Sequence, residues 1–87
     1  MSDYDPAKIL ADARAREKER HRAFSSQARE LAEAAYKEAR ERGLPPGNSI
    51  GVGEQAAYSF LSDKRGRTAA LRLSRVIGRR LRKKAGL

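Results

Sequence analysis

The most strongly patterned stretch of this chain lies at residues 67–84 and has the sequence RTAALRLSRVIGRRLRKK. On a helical wheel its apolar side chains fall within one arc of about 140°, and they are Ala69, Ala70, Leu73, Val76, Ile77 and Leu81. An adjacent arc of about 100° collects the cations Arg72, Arg75, Arg79, Arg82 and Lys83. The pattern predicts a basic C-terminal helix that packs one face on the protein and presents five cations on the neighbouring face.

Residues 54–66 precede this helix and complete the outline of a helix-turn-helix. We expect a short helix over residues 54–62 and a turn over residues 63–66 that contains Gly66. A short helix, a glycine-containing turn and a longer basic helix match that outline, with Arg67, Thr68 and Arg72 at the base-reading positions. Many two-helix fragments share this outline, so DNA binding dominated by the phosphate backbone is favoured over sequence-specific binding in the major groove.

Residues 43–53 form a Gly/Pro-rich connector that holds four of the seven glycines and two of the three prolines. Ile50 and Val52 alternate with small residues, as in a short extended segment. The glycines resemble a phosphate loop only superficially, because the Gly-Lys-Ser/Thr ending of a nucleotide-binding loop is missing. We expect an ordinary flexible connector, which can still place backbone amides against one phosphate of a bound duplex.

Residues 1–42 form a charged helical region. Asp5 followed by Pro6 is typical of a helix N-cap and first position, and Gly43 is typical of the residue that ends a helix. The serines at 25 and 26 favour a break or bend near residues 24–26; the alternative is one helix over residues 6–42, roughly 55 Å long. A stripe of small side chains with one leucine follows the serines and suits tight helix packing: Ala28, Leu31, Ala32, Ala35 and Ala39.

These segments predict an all-α fold, a small bundle of three or four helices in one domain that spans residues 1–87. Leu, Ile, Val and Phe number only 15 of 87 residues, so the hydrophobic core is thin. We expect the core to be completed by a homodimer, formed through the small-residue stripe or the first helical segment, by a larger protein partner, or by segments that order on binding.

The positive charge is concentrated at one end of the chain. Residues 64–87 hold ten Lys and Arg and no acid, whereas residues 1–63 hold ten Lys and Arg against eleven Asp and Glu. Such asymmetry indicates a polyanionic partner. Four of the five cations on the wheel's basic arc are arginines, which bind phosphate oxygens and guanine edges with a fork of donors that lysine lacks.

Several functional classes are disfavoured by the composition. The chain has no cysteine, and its single histidine, His21, lies between two arginines that repel a metal ion. No serine or threonine stands in a recognisable catalytic motif with the histidine, so we expect no enzyme, no cofactor, no metal site and no small-molecule substrate. The acidic N-terminus without an apolar segment and the absence of a long apolar run predict no secretory signal, no membrane association and a cytoplasmic location.

The resulting prediction is a small regulator or accessory factor that binds nucleic acid, with double-stranded DNA favoured over RNA. The alternative is a protein-binding module or inhibitor that occupies an acidic or nucleic-acid-binding surface of a larger protein. A third interpretation, an amphipathic helix on an anionic membrane, lacks bulky aromatic anchors opposite the cations. The predicted nucleic-acid-binding residues are Lys64, Arg65, Arg67, Thr68, Arg72, Arg75, Arg79, Arg80, Arg82, Lys83 and Lys84.

Overall fold

The computed structural model describes residues 5–87, and all regular structure within them is helical. Helix α1 spans Pro6–Glu41, α2 spans Pro46–Arg65 and α3 spans Arg67–Ala85. Residues 42–45 join α1 to α2, whereas Gly66 alone joins α2 to α3. The predicted all-α class is therefore confirmed over the described part of the chain.

Helix α1 is one continuous helix of 36 residues, about 54 Å long. The favoured break near residues 24–26 is wrong, because the two serines continue the helix instead of capping a new one. Phe24 packs edge-on against Phe60 of α2, with ring centroids 6.3 Å apart. Ala28, one turn further, is fully buried. This packing stabilises the helix through a stretch where the modest helix propensity of serine alone favours an interruption.

Both ends of α1 follow the signals in the sequence. The Asp5 carboxylate accepts hydrogen bonds from the backbone N–H groups of Ala7 at 3.1 Å and Lys8 at 3.4 Å. Gly43 lies beyond the last turn with φ +93°, and the N–H of Leu44 donates to the Ala39 carbonyl at 3.0 Å. These bonds satisfy backbone groups that a helix terminus leaves without partners.

The predicted connector over residues 43–53 is mostly helical, because α2 already begins at Pro46. Pro46 at the first position loses no helical hydrogen bond, and the Ser49 hydroxyl donates to the Pro45 carbonyl at 2.9 Å. Each glycine costs about 1 kcal/mol in a helix, but Ile50 is 1% exposed and its burial offsets part of that cost. The expected flexible connector and its short extended segment are therefore wrong, since this backbone is used in helical hydrogen bonds.

Helices α2 and α3 form a long antiparallel hairpin, not the predicted helix-turn-helix. Gly53 and Leu81 lie 13 and 15 residues from the Gly66 corner, yet a Cβ on Gly53 would sit 2.9 Å from Leu81 Cδ1. The two helices thus remain in contact about 20 Å from the corner, whereas helix-turn-helix motifs cross at roughly 90–120°. Small residues on the facing sides, including Gly53 and Gly78, permit this close approach.

The core lies where α2 packs along both neighbours, while α1 and α3 touch each other only narrowly. Its members are Ala28, Ala32, Ile50, Ala57, Leu61, Ala70, Ile77 and Leu81. The alanine stripe of α1 therefore packs against α2 within the chain, and the hypothesis that it pairs two copies is wrong. The molecule is elongated, measuring 67 × 22 × 18 Å.

Candidate nucleic-acid interface

Helix α3 presents its cations on the side turned away from the other helices. Its buried residues are Ala70, Ser74, Ile77, Gly78 and Leu81. At 3.6 residues per turn, the cations centre almost opposite this buried face; they form the outward face, which we define as Arg72, Arg75, Arg79, Arg82 and Lys83. The helical wheel predicted that the cations lie beside the buried face. The buried face is rotated away from them relative to that prediction, because Val76 is 39% exposed while Ser74 and Gly78 are buried.

All five side chains of the outward face are exposed and remain free of carboxylates. Among residues 5–87, none of the five forms an ion pair within 4.0 Å. The Glu54 carboxylate of α2 covers Gly78, and Glu54 lines a groove together with Arg75. Since no carboxylate of the described chain forms an ion pair with this face, most of its positive charge is directed into solvent.

Four further predicted residues lie at the corner between α2 and α3. Arg67 and Thr68 are exposed in the first turn of α3, and helical spacing places Thr68 in line with the outward face. Lys64 lies 4.0 Å from the neighbouring Asp63 carboxylate, and Arg65 is half-buried. The structure thus brings Thr68 to the outward face, whereas Lys64 and Arg65 end α2 at the tip of the hairpin.

Lys84 lies on the flank of α3 that faces α1, away from the outward face. Its Nζ donates a 2.6 Å hydrogen bond to Glu33 Oε1, the contact that links the C-terminal turn of α3 to α1. This hydrogen bond and the adjacent ammonium charge hold the pKa of the Glu33 carboxyl below its ordinary value of 4.5. Lys84 already has an anionic partner, so it is the weakest of the predicted phosphate-binding residues.

Arg80 lies on the same flank and shares a groove with a cation that the sequence analysis missed. Arg29 of α1 lines this groove together with Arg80, Leu73 and Ile77. Nothing in local spacing connects positions 29 and 80. The sequence did show that Arg22 and Arg29, seven residues apart, lie on the same side of a helix.

The position of α3 depends on two glycines. Gly66 has φ +89° and ψ 167°, a conformation essentially restricted to glycine, and it turns the chain between α2 and α3 in one residue. Gly78 leaves the space into which the Glu54 side chain fits. Together they allow α3 to lie close along α2 with its cations outward.

The arrangement suits binding of phosphate groups. Residues 72–83 extend over about 17 Å of helix, and guanidinium groups can bind phosphate oxygens with two parallel N–H donors. Within residues 5–87 no group of three potential metal-binding side chains occurs, and no helix there is long and apolar enough to cross a membrane. Compared with protein-family profiles, curated proteins and solved structures, the chain matches none.

Proposed function

We propose that this chain is a non-enzymatic protein that binds double-stranded DNA through the outward face of α3, as a regulator or accessory factor in the cytoplasm. The observation that carries the proposal is that five cations share one exposed face of a helix and none has a carboxylate partner among residues 5–87. Such a face binds phosphates and releases condensed counterions, which is the main source of sequence-independent affinity.

Binding to the phosphate backbone is favoured over reading of base edges. The hairpin geometry removes the helix-turn-helix arrangement that would carry the N-terminal turn of α3 into the major groove. Arginines instead recur along the whole outward face, which at about 17 Å matches roughly five base pairs. We infer that Arg72, Arg75 and Arg79 supply most of the affinity, with Arg82 and Lys83 extending the contact.

Double-stranded DNA is favoured over RNA on geometric grounds. An α-helix can lie along the major groove of B-DNA and contact the phosphates that flank it without reading base edges, whereas the deep, narrow major groove of A-form RNA does not admit a helix. Single-stranded binding depends on aromatic side chains on which bases stack, and α3 has none. A helix with arginines and no aromatic residue therefore fits duplex DNA better than A-form or single-stranded RNA.

The proposal is tested by measuring affinity for a fluorescein-labelled random duplex by anisotropy at several salt concentrations. Five neutralised phosphates predict that log K falls against log salt with a slope of roughly −4 to −5. The triple variant Arg72→Gln/Arg75→Gln/Arg79→Gln should flatten that slope by about 2 to 3. Glutamine keeps helix propensity close to that of arginine, so circular dichroism should be unchanged.

A matched control removes three charges from α1: Arg16→Gln/Arg20→Gln/Lys37→Gln. All three residues are exposed and lie on α1, outside the outward face of α3. The control should keep a slope within about 0.5 of the unaltered protein. Equal losses in both triple variants would mean that net charge alone drives binding and would refute the assignment to the outward face.

The alternative function, occupation of an acidic surface on a larger protein, gives a different result in the same assay. The proposed inhibitor would bind duplex DNA weakly, and substitutions on the outward face would change that weak binding little. The observation that favours this alternative is the first half of α1, which is largely exposed and offers a partner protein a helical surface. A weak slope together with one tight protein partner would favour it over DNA binding.

A further inference from the structure

The first half of α1 extends beyond the rest of the bundle. Residues 6–23, which we call the arm, are all exposed except His21, which is half-buried. Packing of α1 on the other helices begins at Phe24. The arm carries six Lys and Arg against three Asp and Glu and measures about 27 Å.

Three of the six cations of the arm share one flank of the helix. Arg14, Lys18 and Arg22 recur every four residues and share one flank, which we call the arm stripe. The three acids of the arm project about 100° or more from the middle of that flank, and one of them, Glu17, lines a groove together with Arg14 and Lys18. Like charges at this spacing repel one another along a helix. The described chain supplies no ion pair to any of the three cations.

The arm stripe faces the side of the molecule on which α3 lies. Arg29 lies seven residues, or two helical turns, beyond Arg22 and therefore occupies the same flank of α1. It lines the groove between α1 and α3 together with Arg80. Because α1 is continuous, the direction of Arg29 carries over to the stripe. The outward face belongs to α3 and lies on this side of α1. Two basic surfaces, offset along the long axis, therefore lie on the same side of α1.

We infer that the arm stripe is a second phosphate-contact surface, which binds the same DNA duplex as the outward face and lengthens the footprint by about four base pairs. The inference rests on the proposed function, since both surfaces bind one polyanion. Charge complementarity selects this occupant over a second copy of the chain: two arms with a net positive charge repel each other, whereas a phosphate backbone relieves the repulsion within the stripe.

The test compares two double variants with equal charge changes on opposite flanks of the arm. Lys18→Gln/Arg22→Gln removes two cations from the stripe, and Arg16→Gln/Arg20→Gln removes two from the far flank. Anisotropy is measured against salt on a hairpin DNA with a duplex stem of about 6 base pairs, which spans the outward face alone, and on a duplex of about 24 base pairs. On the longer duplex, the stripe variant should flatten the slope by about 2 while the far-flank variant leaves it unchanged.

On the shorter duplex, both double variants should match the unaltered protein. The inference would be overturned, while the proposed function stands, by either of two results. The two variants could give the same salt slope on the longer duplex, or the stripe variant could flatten the slope equally on both lengths. Failure of the unaltered protein to bind either duplex would instead overturn the proposed function, and the inference with it.

Discussion

Two glycines that lie two residues apart in α2 have opposite roles. A Cβ on Gly53 would lie 2.9 Å from the backbone oxygen of Ala32 and 2.9 Å from Leu81 Cδ1, at the point where the three helices meet. A Cβ on Gly51 would meet no atom within 4 Å. The same substitution therefore tests the packing: Gly53→Ala should lower the free energy of unfolding by about 1–3 kcal/mol, and Gly51→Ala should raise it by up to about 1 kcal/mol.

Urea denaturation followed by circular dichroism measures both changes. The opposite signs cannot arise from helix propensity, since that favours alanine at both positions equally. If Gly53→Ala stabilised the protein as much as Gly51→Ala, then α1, α2 and α3 would not meet as closely as described.

The Glu33–Lys84 pair gives a small pH dependence of known sign. The Lys84 hydrogen bond and ammonium charge lower the pKa of Glu33 in the folded state, so the pair contributes stability above the ordinary pKa of 4.5. That contribution is lost as the pH falls through the lower folded-state pKa. Because both side chains are largely exposed, it amounts to less than about 1 kcal/mol.

Unfolding free energies measured from neutral pH down to about pH 3 should therefore fall less in Glu33→Gln than in the unaltered protein. Glu41→Gln, an exposed carboxylate on the same helix with no ion pair among the described residues, is the matched control. If the unfolding free energy depended less on pH in Glu41→Gln but not in Glu33→Gln, the role given to the Glu33–Lys84 pair would be contradicted.

At the scale of the helices, the sequence predicted the all-α class, the start of α1 and the helix after Gly66. Helix α3 was predictable because its apolar residues recur with helical spacing. The start of α2 was not, because three glycines and two prolines within residues 45–53 are poor helix formers. Their helical state depends on contacts with Ala32 and Leu81, which are distant in sequence.

The one-residue corner at Gly66 sets how α3 follows α2, and it predicts a chirality-dependent effect. An L-alanine has no comfortable conformation at φ +89° and ψ 167°, so Gly66→Ala should lower the unfolding free energy by about 1–3 kcal/mol. A Cβ there would meet no neighbour, so the effect comes from the backbone alone. A D-alanine at this position, introduced by chemical ligation, should be tolerated because its favoured conformations mirror those of L-residues.

Thermal and urea unfolding of the two alanine forms provide the measurement. Equal destabilisation by the L- and D-forms would contradict the positive φ at Gly66. A destabilised L-form beside a stable D-form would support the corner that directs the cations of α3 away from α2.

At the scale of the molecule, the small-residue stripe of α1 is used inside the chain, and the net charge of +9 disfavours association of identical copies. We therefore expect a monomer in the absence of DNA. Sedimentation equilibrium at micromolar concentration should give a mass of 9.7 kDa. A mass twice as large would show that the arm or another exposed face pairs two copies, contrary to the role proposed for the arm stripe.

The candidate site was predictable in part. Periodicity grouped Arg72, Arg75 and Arg79 on one face, because that grouping depends only on helical spacing. The ion pair of Lys84 with Glu33 and the neighbourhood of Arg29 were not predictable, since each joins residues about 50 positions apart. Tertiary contacts thus decided which of the basic residues remain free.

The central claim is that the outward face of α3 binds duplex DNA, and mapping by NMR tests it most directly. Titration of ¹⁵N-labelled protein with a random duplex at low salt should shift the backbone amide signals of residues 72–83 most strongly. Signals from Glu38 and Glu41, which are exposed near the end of α1, should move little. Shifts confined to α1 or α2, or no saturable shifts at all, would contradict the claim.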